Sequence, residues 1–320
     1  MRYDELGFPI PPEFDDAGRH GRRAQAGGLP PRGPAGQTAA SGRSVRRRPS
    51  ASKRWILLAL LCFGILPAIF GPRLLPRVRQ ALAVWSLERA SVCEAEDDAA
   101  GAAAEVGRAL FWTGEDVDLL CMRAMLRLEA RDAGGALEDC SRAAAVAPTA
   151  VAPRRVRALV HVVQADADAA LADADMVVRL SAAGDPEALN YRAYIRGLVG
   201  RDLEAALADI EQALAGEDGP PELVDTKGFL LHLLGRHREA VDQLNLAVAG
   251  LEQNRRKLGR LHGQVDPVHL ACRLRTLEHG LAVMLHHRAQ ACQAIGLEEQ
   301  AQQDFELARR KGFDPARGIF

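Results

Sequence analysis

The chain has 320 residues, 5% of them aromatic and 26% charged, with an excess of Ala, Leu and Arg and no strand-length alternation of Val, Ile, Thr or Tyr. That composition excludes a sheet protein and points to helices throughout, an all-α fold class. The formal charge of -1 conceals a division, because residues 1–54 hold 11 Lys/Arg against 5 Asp/Glu while acids outnumber bases in the remainder. An acidic body excludes nucleic acid as its main partner, since phosphate binding needs a clustered cationic face.

In chain order, residues 1–54 form a basic tail rich in Pro, Gly, Arg and Ser, with too few apolar residues to bury a core, and disorder is expected there. Trp55 to Pro72 then gives eighteen consecutive uncharged, mostly apolar positions. As a helix these rise ~27 Å, close to the thickness of a bilayer's hydrocarbon core. Leu74, Leu75 and Pro76 extend the run if Arg73 snorkels, so 55–76 is assigned as a transmembrane anchor helix. A charged leader of 54 residues argues against a cleaved signal peptide. Arg43, Arg46, Arg47, Arg48, Lys53 and Arg54 precede the segment, and Arg73, Arg77, Arg79 and Arg89 follow it. The positive-inside rule then favours a single-pass chain with a cytoplasmic N-terminus and an extracytoplasmic body.

Beyond the anchor a period emerges. A basic residue followed by a small one recurs as Arg89-Ala90, Arg123-Ala124, Arg157-Ala158, Arg192-Ala193, Lys227-Gly228 and Arg288-Ala289, in steps of 34, 34, 35, 35 and 61. Twelve residues after each small residue, or thirteen in the fourth copy, stands another alanine: Ala102, Ala136, Ala170, Ala206, Ala240 and Ala301. Seven further on come Ala109, Ala143, Val177, Ala213, Ala247 and Ala308. Fixed spacing in six copies is the signature of stacked units that cannot bury their apolar faces alone.

The pattern resembles the tetratricopeptide repeat (TPR), a 34-residue helical hairpin with small residues at fixed positions. The copy in best register is Leu223 to Val248, with Gly228, Gly235, Ala240, Leu244 and Ala247, followed by residues 285–308 with Ala289, Gly296, Ala301, Phe305 and Ala308. The family's large residue near the end of the first helix is replaced by Cys93 and Cys292, and its proline survives chiefly as Pro148. The resemblance implies an α-solenoid of about six hairpins over 82–320. The repeats fall near 83–115, 117–150, 151–184, 186–220, 221–250 and 282–315, with an insertion near 251–281. In that insertion Asp266-Pro267 looks like the start of a helix running to Ala294, forming an extended arm or a capping element.

Sixteen residues after the basic position, or seventeen in the fourth copy, stand Glu105, Asp139, Asp173, Asp209 and Asp304. This predicts a ladder of ion pairs tying helices together, each contributing only ~0–1 kcal/mol if exposed. Lys227, paired by the same spacing with Gln243, departs from it.

Chemistry-bearing motifs are missing from the sequence. The six cysteines, Cys62, Cys93, Cys121, Cys140, Cys272 and Cys292, form no C-x-x-C pair and read as free, buried thiols. Cys272, His279 and His286 lie seven apart, ~10.5 Å per step on a helix, too far for one metal ion. Without a nucleophile elbow, phosphate loop or His-Glu-x-x-His, the chain is read as a non-enzyme with no cofactor, no metal and no evident small-molecule substrate. The family resemblance implies instead a concave groove for a protein or peptide partner. Its positions fall on Arg155, Leu159, Asn190, Tyr194, Asp225, Phe229, His232, His286, Gln290 and Gln293. The expected function is a membrane-tethered interaction scaffold that assembles or organises an envelope complex. A cytoplasm-facing adaptor, or an enzyme of unrecognised type, are the alternatives.

Overall fold

Apolar positions spaced three and four apart, broken every 15 to 20 residues by aspartate or glycine, fold here into twelve helices among the described residues. The computed structural model describes residues 2–3, 9–10, 66–214, 219–262, 265 and 267–314. The helices are α1 (Leu66–Ala95), α2 (Ala99–Thr113), α3 (Val117–Glu129), α4 (Ala133–Val146), α5 (Ala152–Val163) and α6 (Ala167–Leu180), followed by α7 (Pro186–Val199), α8 (Leu203–Ala213), α9 (Pro221–Leu233), α10 (His237–Gly259), α11 (Pro267–Ala294) and α12 (Glu298–Arg310). Ahead of them, β1 (Arg2–Tyr3) and β2 (Pro9–Ile10) pair antiparallel over two residues each. The chain divides into two units, Met1–Pro72 and Arg73–Phe320.

Most of the expected anchor, 55–65, lies outside the described residues. Among the described residues no helix is long and apolar enough to cross a membrane.

Successive pairs of helices, from α1–α2 to α11–α12, are the six hairpins expected from the period. Their turns share one device. The residue eight after each basic position adopts a left-handed backbone: Asp97, Arg131, Ala165, Gly200, Gly235 and Gly296 have φ of 60, 63, 58, 67, 77 and 79°. Two residues later, or three after Gly200, the next helix starts. Asp98, Asp132 and Asp166 cap it with a side-chain oxygen accepting from a backbone N–H three residues on.

The predicted small positions, Ala102, Ala136, Ala170, Ala206 and Ala240, have no exposed surface. Gly228 fits because a Cβ there would lie 2.6 Å from Leu244 Cγ. Hairpins stack through the first helix of each repeat. The residue three after the basic position is Leu126, Val160, Ile195, Leu230 or Ala291, and all five are buried. Leu126 packs with Ala102 and Val106, Val160 with Ala136 and Cys140, Ile195 with Ala170 and Val177, and Leu230 with Ala206 and Ile210, in each case onto the preceding hairpin. Four residues before the basic position, Pro153, Ala188, Leu223 and Met284 are likewise buried.

The insertion is an arm. It lengthens both α10 and α11, to 23 and 28 residues, rather than adding a separate cap. Leu251 and Leu258 on one helix and Leu270, Leu277 and Leu281 on the other are buried. Their spacings of seven, seven and four are those of a helix-pairing seam. Arg255 pairs with Glu278 across it at 3.1 Å, and Glu278 also accepts from Lys311 beyond the last repeat.

Candidate functional site

All five members of the ladder pair within their own hairpin. Arg89 Nε lies 2.7 Å from Glu105. Arg123 and Arg157 grip Asp139 and Asp173 through two nitrogens each, at 2.7 and 2.5 Å and at 2.7 and 2.6 Å. Arg192–Asp209 and Arg288–Asp304 repeat the two-pronged geometry at 2.7–2.8 Å. Burial departs from the expectation of exposed pairs, since the carboxylates all sit inside. A second arginine, unforeseen from the spacing, completes several of them. Arg127 reaches Asp139 at 2.9 Å, Arg196 reaches Asp209 at 2.7 Å, and Arg108 reaches Glu105 at 2.5 Å. Burial opposes ionisation of Glu105, yet its hydrogen bonds and charge contacts with Arg89 and Arg108 hold that carboxyl below the usual range. Lys227, whose ladder position holds Gln243 in place of an acid, turns back to Glu211 of the preceding hairpin at 3.6 Å. Arg192 and Arg288 also reach back, to Asp175 at 3.3 Å and Asn245 at 3.1 Å.

The residues expected to line the groove fall into three groups. Arg155 and Leu159 on α5, Asn190 and Tyr194 on α7, and His232 on α9 are half-buried on consecutive first helices. The Arg155 guanidinium lies 4.9 Å from the Tyr191 ring, and the Tyr191 hydroxyl donates to the Arg155 carbonyl at 2.5 Å. Asn190 Oδ1 is buried without a hydrogen-bond partner among the described residues. His232 and His237 place their Nδ1 atoms 3.2 Å apart, so one donates to the other. Burial, and the neighbouring His237 and His287, lower the His232 pKa.

Asp225 and Phe229 are placed differently. They are buried where repeat five meets repeat six rather than forming open floor. Asp225 accepts from His287 Nδ1 at 3.0 Å, and the His287 ring stacks on Phe229 with centroids 4.5 Å apart. Tyr194 adjoins Phe229 at 6.0 Å, and a Cβ on Gly197 would come within 2.7 Å of that ring. His287 escaped the sequence reading, which chose its neighbour. The available signal was equivalence with Tyr191, the residue before the basic position that contacts the preceding repeat in the same way.

His286 heads a third group. It packs between Phe305 and Phe313 at 5.4 and 4.3 Å, and burial, with the charges of His287 and Arg309, depresses its pKa to about 4. Gln290 is half-buried and Gln293 exposed, both on the last first helix.

The described cysteines Cys93, Cys121, Cys140 and Cys292 are free, and all but Cys93 are buried. Burial pushes the Cys121 and Cys140 thiols up to about 11 and about 12, which makes them unreactive packing groups. Among the described residues no three His, Cys, Asp or Glu side chains converge as a metal ion would require.

No known family profile matches the chain, and no characterised protein matches it by sequence. Among solved structures it is similar to the APC/C hetero-tetramer Cut9–Hcn1, with a TM-score of 0.50 and 11% identity over 74% of this chain and 45% of that one. A thermophilic TPR protein of Thermus thermophilus gives a TM-score of 0.47 at 20% identity, over 61% of this chain and 98% of that one. PilW, a widely conserved type IV pilus biogenesis factor, gives 0.48 at 14% identity, over 69% and 90%. At such identities the likeness concerns fold alone. With the 34-residue period and the hairpin stacking, it describes a TPR-like, all-α helical-repeat solenoid.

Proposed function

We propose that this chain is a non-enzymatic scaffold that holds an extended peptide or a partner helix along the first-helix face of repeats three to five. The observation that carries the reading is the strip of Arg155, Leu159, Asn190, Tyr194 and His232. Successive first helices leave these side chains partly exposed on one face. Asn190 contributes an amide oxygen with no partner among the described residues. Selection of peptides from a displayed random library tests this. Asn190→Ala and Tyr194→Ala are expected to weaken the selected ligands about tenfold or more; ligands held equally by both variants would remove the site from this face.

Residues 55–76 tether the scaffold to a membrane in this reading, with the repeats outside the cytoplasm and the binding face serving to assemble an envelope complex. Support comes from the uncharged run Trp55 to Pro72 and from the excess of basic residues before it. A reporter active only outside the cytoplasm, fused at Phe320, is expected to be active. Silence from a well-expressed fusion reverses the orientation and leaves a cytoplasm-facing adaptor.

A further inference from the structure

Among the described residues the stacking register leaves one face uncovered. In repeats two to six the residue three after the basic position is buried on the preceding hairpin, as is the residue four before it in repeats three to six. In repeat one the equivalent residues are Val92 and Trp85, and they are 55% and 51% exposed. Val78, one further heptad back on α1, is 42% exposed. Repeat one therefore carries the apolar side chains of a stacking face on which no described hairpin stacks. The opposite end of the solenoid is finished differently. Phe313 folds down onto His286, and the outer side of α12 presents Gln302, Gln303, Glu306, Arg309 and Arg310, all exposed. A polar end cap of this kind closes a repeat array, so head-to-tail growth is provided for at neither end.

We propose that the open face of repeat one is closed by the same face of a second copy of the chain, the two α1 helices running antiparallel about a two-fold axis at Trp85. The spacing along α1 is symmetric about that residue. Val78 and Val92 stand seven residues to either side, about 10.5 Å each, so an antiparallel mate brings Val78 against Val92 twice and Trp85 against Trp85. Charge has the matching asymmetry. Arg77 and Arg79 lie before Trp85 and Glu88, Glu94 and Glu96 after it; all five are exposed and make no ion pair among the described residues. Arg77 and Glu88 fall on the same flank of the helix, and the two-fold turns the Arg77 of each copy toward the Glu88 of the other. A parallel mate would carry these residues to the opposite flank and leave Arg77 and Glu88 without this cross-pairing. Isologous closure also suits a surface that must satisfy itself, since it uses one patch twice and leaves none open.

The inference is independent of peptide binding but bears on the tether: with antiparallel helices the segments ahead of Val78 leave from opposite ends of the pair, so both enter one bilayer only if α1, which runs from Leu66 to Ala95, bends ahead of Val78. Detergent-solubilised full-length chain is accordingly the sample. Cysteines are placed in a Cys93→Ser background and oxidised. Trp85→Cys is expected to link to itself, and Val78→Cys to link to Val92→Cys when the two chains are mixed, while neither of these links to itself. Light scattering should give a dimer mass that halves in Trp85→Glu with its melting temperature retained. A monomer for the unmodified chain overturns the proposal, as does Val78→Cys linking to itself, which would signal parallel helices.

Discussion

Asp139 is fully enclosed and accepts from Arg123 at 2.7 and 2.5 Å and from Arg127 at 2.9 Å, whereas Asp168, 2.6 Å from Arg201, is 88% exposed. The distances are alike; the surroundings are not. Removing the enclosed carboxylate leaves two guanidinium groups facing a low-dielectric interior, so Asp139→Ala is expected to cost about 3–5 kcal/mol in a urea melt. Asp168→Ala should stay within ~0–1 kcal/mol. The pairing itself was legible in the sixteen-residue spacing. Its depth was not, because spacing fixes which residues meet and says nothing of what covers them. His286 gives the second prediction at this scale. Its folded pKa of about 4 lies below the ordinary histidine value near 6.5, so the folded state favours the neutral ring. The stability this confers is complete above pH 6.5 and is lost as pH falls from there toward 4. The last hairpin should thus loosen across that window, seen as faster amide exchange in α12, and His286→Leu should remove this part of the acid response.

At the scale of the element, the hairpin turn is set by one left-handed residue per repeat, and the six copies meet that demand unequally. Gly200, Gly235 and Gly296 adopt the conformation freely, while Ala165 at φ 58° and Arg131 at φ 63° carry a Cβ against it. That strain amounts to ~1–2 kcal/mol, offset in part by the greater freedom glycine has in the unfolded chain. Ala165→Gly is therefore expected to stabilise by ~0.5–1 kcal/mol, and Gly235→Ala to destabilise by a similar amount or more, measured by thermal melting. A gain on Gly235→Ala would contradict the turn geometry. The sequence marked half of these turns through Gly-containing copies, and the others were readable only by carrying the period across. The choice between an arm and a capping element stayed open in the sequence for a related reason. Glu252 to Gly263 looks polar as a block, yet Leu251 and Leu258 are seven apart and buried, as are Leu277 and Leu281 on the partner helix. Periodicity within the stretch, rather than its average character, held the answer.

For the molecule as a whole, the arm raises the question of whether repeat six belongs to the solenoid or only follows it. Contact register answers it. The Tyr191 hydroxyl reaches the Arg155 carbonyl 36 positions back, and His287 reaches Asp225 62 positions back. Correcting the first for the one extra residue in the step from repeat three to repeat four and the second for the 27 inserted residues gives the same one-repeat offset. Repeat six therefore docks on repeat five as though the arm were missing. The arm's leucines are buried along its seam, where Arg255 pairs with Glu278, and Glu278 also ties the arm to Lys311 at the end of α12. Excising residues 255–281, which restores a 34-residue step, should leave a chain that still unfolds cooperatively, with helical signal reduced in proportion to length and Asp225→Ala still destabilising. If the shortened chain fails to fold, the paired helices supply core that the stacked hairpins lack, and α10 and α11 are then a structural keystone of the array instead of an appendage free to serve as a second contact surface.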